Sequence, residues 1–149
     1  RLTYRLIFLS IVITIQKCMD KKKLINILQD NREIAAAVLF GSQASNQANQ
    51  DSDIDIALLY NPKSVPDGLE LLQFKQYLSD EMQQEVDIVL LNEASPIIAM
   101  QAVKHGVPLF LRDKKAYDKF EIKLITDYAD IKRIREPFEK NILRRKLHD

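Results

Sequence analysis

Residues 38–60 read VLFGSQASNQANQDSDIDIALLY, and the fold turns on this stretch. An apolar run stops at Gly41-Ser42, ten residues follow, and Asp53-x-Asp55 opens a second apolar run that ends at Tyr60-Asn61-Pro62. Residues 35–40 and 54–60 have the length and continuity of buried strands bounded by turn signals. Residues two apart on a strand share a face, so Asp53 and Asp55 are expected to project together while Ile54 and Ile56 enter the opposite layer.

Two neighbouring carboxylates repel each other unless one is protonated or a cation compensates them. Hard oxygen ligands of this kind suit Mg²⁺ bound jointly with substrate phosphates. A glycine before the pair lets the backbone approach a nucleotide, and Ser42 offers an amide and a hydroxyl to phosphate oxygens. Asp87, flanked by Val86 and Ile88 in another strand candidate, becomes a third carboxylate if the two strands are adjacent. Three carboxylates and a triphosphate can hold two ions roughly 4 Å apart, one activating the attacking hydroxyl and one neutralising the departing pyrophosphate. An isolated Asp-x-Asp is more often a solvated turn, but the flanking strands and Asp87 argue against that here. An EF-hand also begins like Asp51-x-Asp53-x-Asp55, but Ile56 stands where its glycine belongs and Pro62 where its glutamate belongs.

Outward from this centre, Leu24, Ile25, Ile27 and Leu28 predict a short helix capped by Asp20. Leu69 to Met82 carries a helical stripe, and residues 85–91 read as a third strand. Ser95-Pro96 marks a helix start and Gly106 its stop, followed by a short strand over 107–111. From Asp113 to Leu147 the apolar residues Tyr117, Phe120, Leu124, Tyr128, Ile131, Ile134, Phe138 and Ile142 recur at three- and four-residue steps. They predict a long amphipathic helix, bent or broken at Pro137. The expected class is α/β, a mixed sheet flanked by helices with a long C-terminal helical segment.

With 149 residues, 46% of them hydrophobic, the chain can bury one core. Its 22 basic and 21 acidic residues leave a net charge of +1, without the global positive excess of an obligate nucleic-acid binder. Direct nucleic-acid binding stays open, because residues 132–146 hold seven basic and two acidic side chains among apolar ones. That face suits solvent, an acidic protein patch or phosphate, with protein docking preferred. Residues 6–15, LIFLSIVITI, resemble a signal-peptide core but lack a small-x-small cleavage pattern, and they are too few for an ordinary membrane span. Met19 is read as the natural start, with residues 1–18 as an upstream extension, 19–112 as the catalytic domain and 113–149 as the C-terminal helical segment, a partner-docking element. Cys18 has no metal-ligand neighbour, His105 sits at a helix end and His148 near the terminus, so none is assigned chemistry. The single cysteine fits a cytoplasmic protein.

Gly41-Ser42, the ten-residue spacer, Asp53-x-Asp55 and Asp87 on a later strand together resemble the nucleotidyltransferase superfamily typified by DNA polymerase beta. The short length is similar to its minimal branch, the MNT proteins, commonly encoded beside a HEPN-domain partner. The resemblance covers about residues 20–112. It implies a Mg²⁺-dependent nucleotidyltransferase using ATP, with Asp53, Asp55 and Asp87 as catalytic and metal-binding residues at a two-ion site and Gly41 and Ser42 binding the nucleotide. In HEPN/MNT pairs it further implies an antitoxin that transfers AMP to a tyrosine of the HEPN ribonuclease toxin. Two alternatives stay beside it: a non-enzymatic antitoxin acting by occlusion, and a nucleotidyltransferase for a small hydroxylated substrate such as an aminoglycoside. Many relatives carry an arginine shortly after Gly-Ser, where this chain has Gln43-Ala44-Ser45-Asn46. A cation from elsewhere in the chain or from the partner then substitutes, or nucleotide affinity is modest.

Overall fold

In the computed structural model, which describes residues 20–45 and 52–146, the two apolar runs are neighbouring strands. β1 is Ile34–Phe40 and β2 is Ile54–Tyr60, antiparallel, with Phe40 opposite Asp55 and Ile34 opposite Tyr60. β3, Val86–Leu90, lies parallel to β2, and β4, Val107–Leu111, pairs antiparallel with β1. The order β3-β2-β1-β4 makes the sheet mixed and leaves β1 and β2 in its interior. Interior strands covered on both faces have no solvent side, which is why IAAAVLF is apolar throughout instead of alternating.

Among the described residues four helices cover the sheet: α1 (Lys21–Asp30), α2 (Gly68–Met82), α3 (Pro96–His105) and α4 (Lys114–Lys146). Ile54, Ile56 and Leu58 of β2 meet Leu24 and Leu28 of α1 and Leu78 of α2 in one buried layer. Ala57 and Leu59 meet Ala99 and Ala102 of α3 and Tyr117 and Leu124 of α4 in the other. A register shift between Ile34 and Ala36 turns both Ala35 and Ala36 toward the second layer, where small side chains admit α3 closely. Gly106 belongs to the same tight approach, since a Cβ there would collide with the Ala102 carbonyl and Val38 Cγ1. Leu58 is fully buried in an interior strand. Leu58→Ala is expected to lower the unfolding free energy by about 2–5 kcal/mol in chemical denaturation, through lost transfer energy and the cavity left behind.

Local signals account for the helix boundaries. Asp20 accepts from the Lys23 amide at 3.0 Å, and Ser95 accepts from the Ile98 amide ahead of Pro96. α2 begins with a full capping box: Asp67 accepts from the amides of Leu69 and Glu70, and Glu70 accepts from the Asp67 amide. At the C-terminal end of α1, the Arg112 guanidinium donates to the carbonyls of Gln29 and Asn31, groups a helix end leaves without internal partners.

Of the bend or break expected at Pro137, the break does not occur, because α4 runs through that residue as one helix. The proline removes one backbone hydrogen bond, but residues 132–142 are exposed, so water can satisfy the carbonyl it frees. The first half of α4 belongs to the core through Tyr117 and Leu124, whereas Ile134, Phe138 and Ile142 are 56–67% exposed along its second half. Among the described residues no helix is long and apolar enough to cross a membrane. The N-terminal extension, Cys18, Asp51 and His148 lie outside the described residues.

Candidate active site

The acidic pair is fixed by strand register. Asp55 of β2 lies opposite Asp87 of the parallel β3, and residues so paired point to the same face. That face is the one α3 and α4 cover, but their buried layer begins only at Ala57, so Asp55 and Asp87 emerge beyond its edge. Asp53, two residues before Asp55, is exposed at the mouth of the same end. The approach to it is held by the backbone: the Ile54 amide donates to the Glu85 carbonyl at 2.8 Å. The side-chain amides of Gln84 and Gln43 both donate to the Ser52 carbonyl, at 2.9 and 3.3 Å. These two glutamines tie the strand start to the β3 approach and to the Gly-Ser turn.

Gly41 follows Phe40, the residue opposite Asp55, and opens a 3₁₀ turn over Gly41–Gln43. Its φ of +68° is a left-handed conformation that side chains disfavour. A Cβ at Gly41 would overlap Asp55 Oδ2. The glycine therefore makes room first for the carboxylate, a reason distinct from the close nucleotide approach expected from sequence. Ser42 sits next in the turn, half-buried at the same end of the sheet.

Electrostatics follow from this crowding. Burial, then the neighbouring charges of Asp87 and Asp53, push Asp55 above the usual aspartate value. Asp87 has a cationic partner: Lys75 Nζ of α2 is 2.5 Å from its Oδ1. That hydrogen bond, opposed by desolvation, raises the Lys75 ammonium above the ordinary lysine value. Among the described residues no three His, Cys, Asp or Glu side chains form an all-protein metal cage. Mg²⁺ is ordinarily held by one or two carboxylates together with substrate phosphates, and hard oxygen donors of the Asp53, Asp55 and Asp87 kind fit that mode.

A turn with backbone donors beside clustered carboxylates suits binding of a nucleoside triphosphate through its phosphates. The family profile described as "Polymerase beta, Nucleotidyltransferase" matches residues 22–115. The chain belongs to this nucleotidyltransferase family. Among individual members, the chain is similar to the protein adenylyltransferase MntA of Shewanella oneidensis, 27% identical over 126 residues, covering 84% of this chain and 88% of that protein. In three dimensions this nucleotidyltransferase is similar to a chain of a crystallised toxin–antitoxin with AMP-PNP, at a TM-score of 0.74 and 27% identity over 84% of this chain and 99% of that one. It is also similar to a chain of the tri-AMPylated Shewanella oneidensis HEPN toxin in complex with MNT antitoxin, at a TM-score of 0.67 and 27% identity over 83% and 95%.

Sequence reasoning singled out Gly41, Ser42, Asp53, Asp55 and Asp87, and all five lie at one end of the sheet. It passed over Lys75, Gln43 and Gln84 as contributors. The apolar stripe from Leu69 to Met82 is a local signal that places α2, but nothing local marks Lys75 as Asp87's partner twelve positions away.

Proposed function

We propose that this nucleotidyltransferase is the antitoxin of a HEPN/MNT pair, transferring AMP from ATP to a tyrosine hydroxyl of its HEPN ribonuclease partner and thereby silencing it. The observation that carries the reading is the register that sets Asp55 beside Asp87, with Gly41 turned against Asp55 and Asp53 on the same face. The adenylyltransferase and AMPylated-toxin relatives support the choice of nucleotide and acceptor.

In this reading Gly41 and Ser42 hold the phosphates, Asp53 and Asp55 bind Mg²⁺, and Asp87 completes the set. Two bound Mg²⁺ would lower the pKa of the attacking hydroxyl and neutralise the departing pyrophosphate. The tyrosine oxygen bonds to the α-phosphorus, the bond from that phosphorus to the α–β bridging oxygen breaks, and pyrophosphate leaves. Asp87 is the acceptor for the phenolic proton. Catalysis by the chain is then mainly positioning and charge compensation, as for phosphoryl-type transfers generally.

Acceptor recognition falls to the exposed half of α4. Ile134, Phe138 and Ile142 repeat every four residues along one face, with Arg135, Lys140 and Arg144 nearby, a surface suited to an apolar groove with an acidic rim. ATP and an RNA-cleaving partner belong to the cytoplasm, the location we assign to the reaction.

The test is to incubate the chain with Mg²⁺ and its proposed HEPN partner, using ATP labelled at either the α- or the γ-phosphate. Label should reach the HEPN protein only from the α position. Label arriving from the γ position would make the chain a kinase and sink the reading.

A further inference from the structure

Among the described residues, Lys75 is the cation whose ion pair reaches the carboxylate cluster. It belongs to α2, which packs on the opposite face of the sheet, and β3 is the edge strand on that side. Its side chain therefore passes the outer edge of β3 to place Nζ 2.5 Å from Asp87 Oδ1 and 3.9 Å from Glu85 Oε1. Of its two acidic contacts the shorter is with Asp87, the carboxylate that shares a register position with Asp55.

The pair is open to exchange, since the Asp87 side chain is 50% exposed and that of Lys75 31%. A half-exposed ion pair contributes little to stability, and the ammonium rides on a flexible stem that can move without the backbone. The segment between the Gly-Ser turn and Asp53 contains no lysine or arginine, so it supplies no cation of its own to a bound triphosphate.

We propose that Lys75 is the exchangeable cation of this site. It neutralises Asp87 while no divalent ion is bound, gives up that carboxylate when metal and nucleotide arrive, and then turns its ammonium to the phosphates. The inference rests on the metal- and ATP-dependent reading above and assigns Lys75 a phosphate-binding role within it.

The two halves of the role predict opposite effects of one substitution, which a purely structural tie between α2 and β3 would not. Mn²⁺ binding is measured by calorimetry on the full chain without nucleotide, and AMP-PNP binding is then measured at saturating Mn²⁺. Lys75→Met should bind Mn²⁺ roughly three- to tenfold more tightly than the parent and AMP-PNP more weakly by a similar factor, the scale of a partly exposed charge-assisted contact. Lys75→Arg, which keeps the charge, should lie between Lys75→Met and the parent in both. Unchanged Mn²⁺ affinity or unchanged AMP-PNP affinity in Lys75→Met overturns the inference while leaving the metal site standing. Mn²⁺ binding that is equal in the parent and in Asp53→Ala/Asp55→Ala removes the metal site itself, and this inference with it.

Discussion

Asp53→Ala/Asp55→Ala is expected to lose AMP transfer by at least about 10³-fold while remaining folded, because metal-mediated charge stabilisation contributes several kcal/mol to such transition states and each 1.36 kcal/mol is tenfold in rate. The loss should appear in single-turnover rate at saturating ATP, which separates it from weakened nucleotide binding. Stability should move in the other direction. Asp55 is destabilised as a carboxylate by burial and by Asp87 and Asp53, so its folded pKa lies above the unfolded one. A group shifted in that sense contributes stability below its unfolded pKa, and the contribution is lost as pH rises through the folded value. Without divalent ions, the parent should therefore give up the Asp55 contribution on going from acid to neutral pH, and Asp55→Asn should not. Thermal unfolding at neutral pH in the presence of a chelator should leave Asp55→Asn at least as stable as the parent. A clear drop would mean that Asp55 is held by favourable contacts instead of merely tolerated.

Gly41→Ala should damage both stability and activity. Left-handed backbone costs a residue with a Cβ about 1–2 kcal/mol, and here the added carbon also overlaps Asp55 Oδ2. Relief requires Asp55 to turn away or the 3₁₀ turn to shift, and either displaces the groups proposed to hold metal and phosphate. A displacement on the order of 1 Å can cost about 100-fold in rate. We therefore expect at least that loss of transfer together with a lowered unfolding midpoint. Ser42→Ala, which leaves the turn backbone alone, provides the comparison: a variant there that loses as much as Gly41→Ala would shift the emphasis from the carboxylate's space to the serine hydroxyl.

The same geometry shows what could be read from sequence and what could not. β2 was legible because Ile54 to Tyr60 is apolar except at Asp55 and is bounded by a polar segment and Asn-Pro, and helix starts at Asp20 and Ser95-Pro96 were legible from their caps. The five residues singled out for the site lie within or beside such elements, so their convergence required only that β2 and β3 be neighbours. Register itself was not legible. The overlap of a Gly41 Cβ with Asp55 depends on Phe40 facing Asp55, and the clamp of Gln43 and Gln84 on the Ser52 carbonyl depends on two loops meeting. Lys75 illustrates the limit most clearly: on α2 it sits in a helix packed on the far side of the sheet, and only the position of β3 at the edge lets it reach Asp87. At Pro137 the sequence does not decide between a bend and a break, and the helix continues because its exposed flanks can hydrate the carbonyl that proline frees.

The central claim is that the carboxylates gathered at the start of β2 and on β3 drive AMP transfer onto the partner, and the intact mass of the proposed HEPN partner tests it most directly. After incubation with ATP, Mg²⁺ and the parent chain, that mass should rise by one AMP or a whole multiple of it, localised to tyrosine, and stay unchanged with Asp53→Ala/Asp55→Ala. A HEPN protein whose ribonuclease is inhibited by the parent without any gain in mass would contradict the account and make occlusion the mechanism.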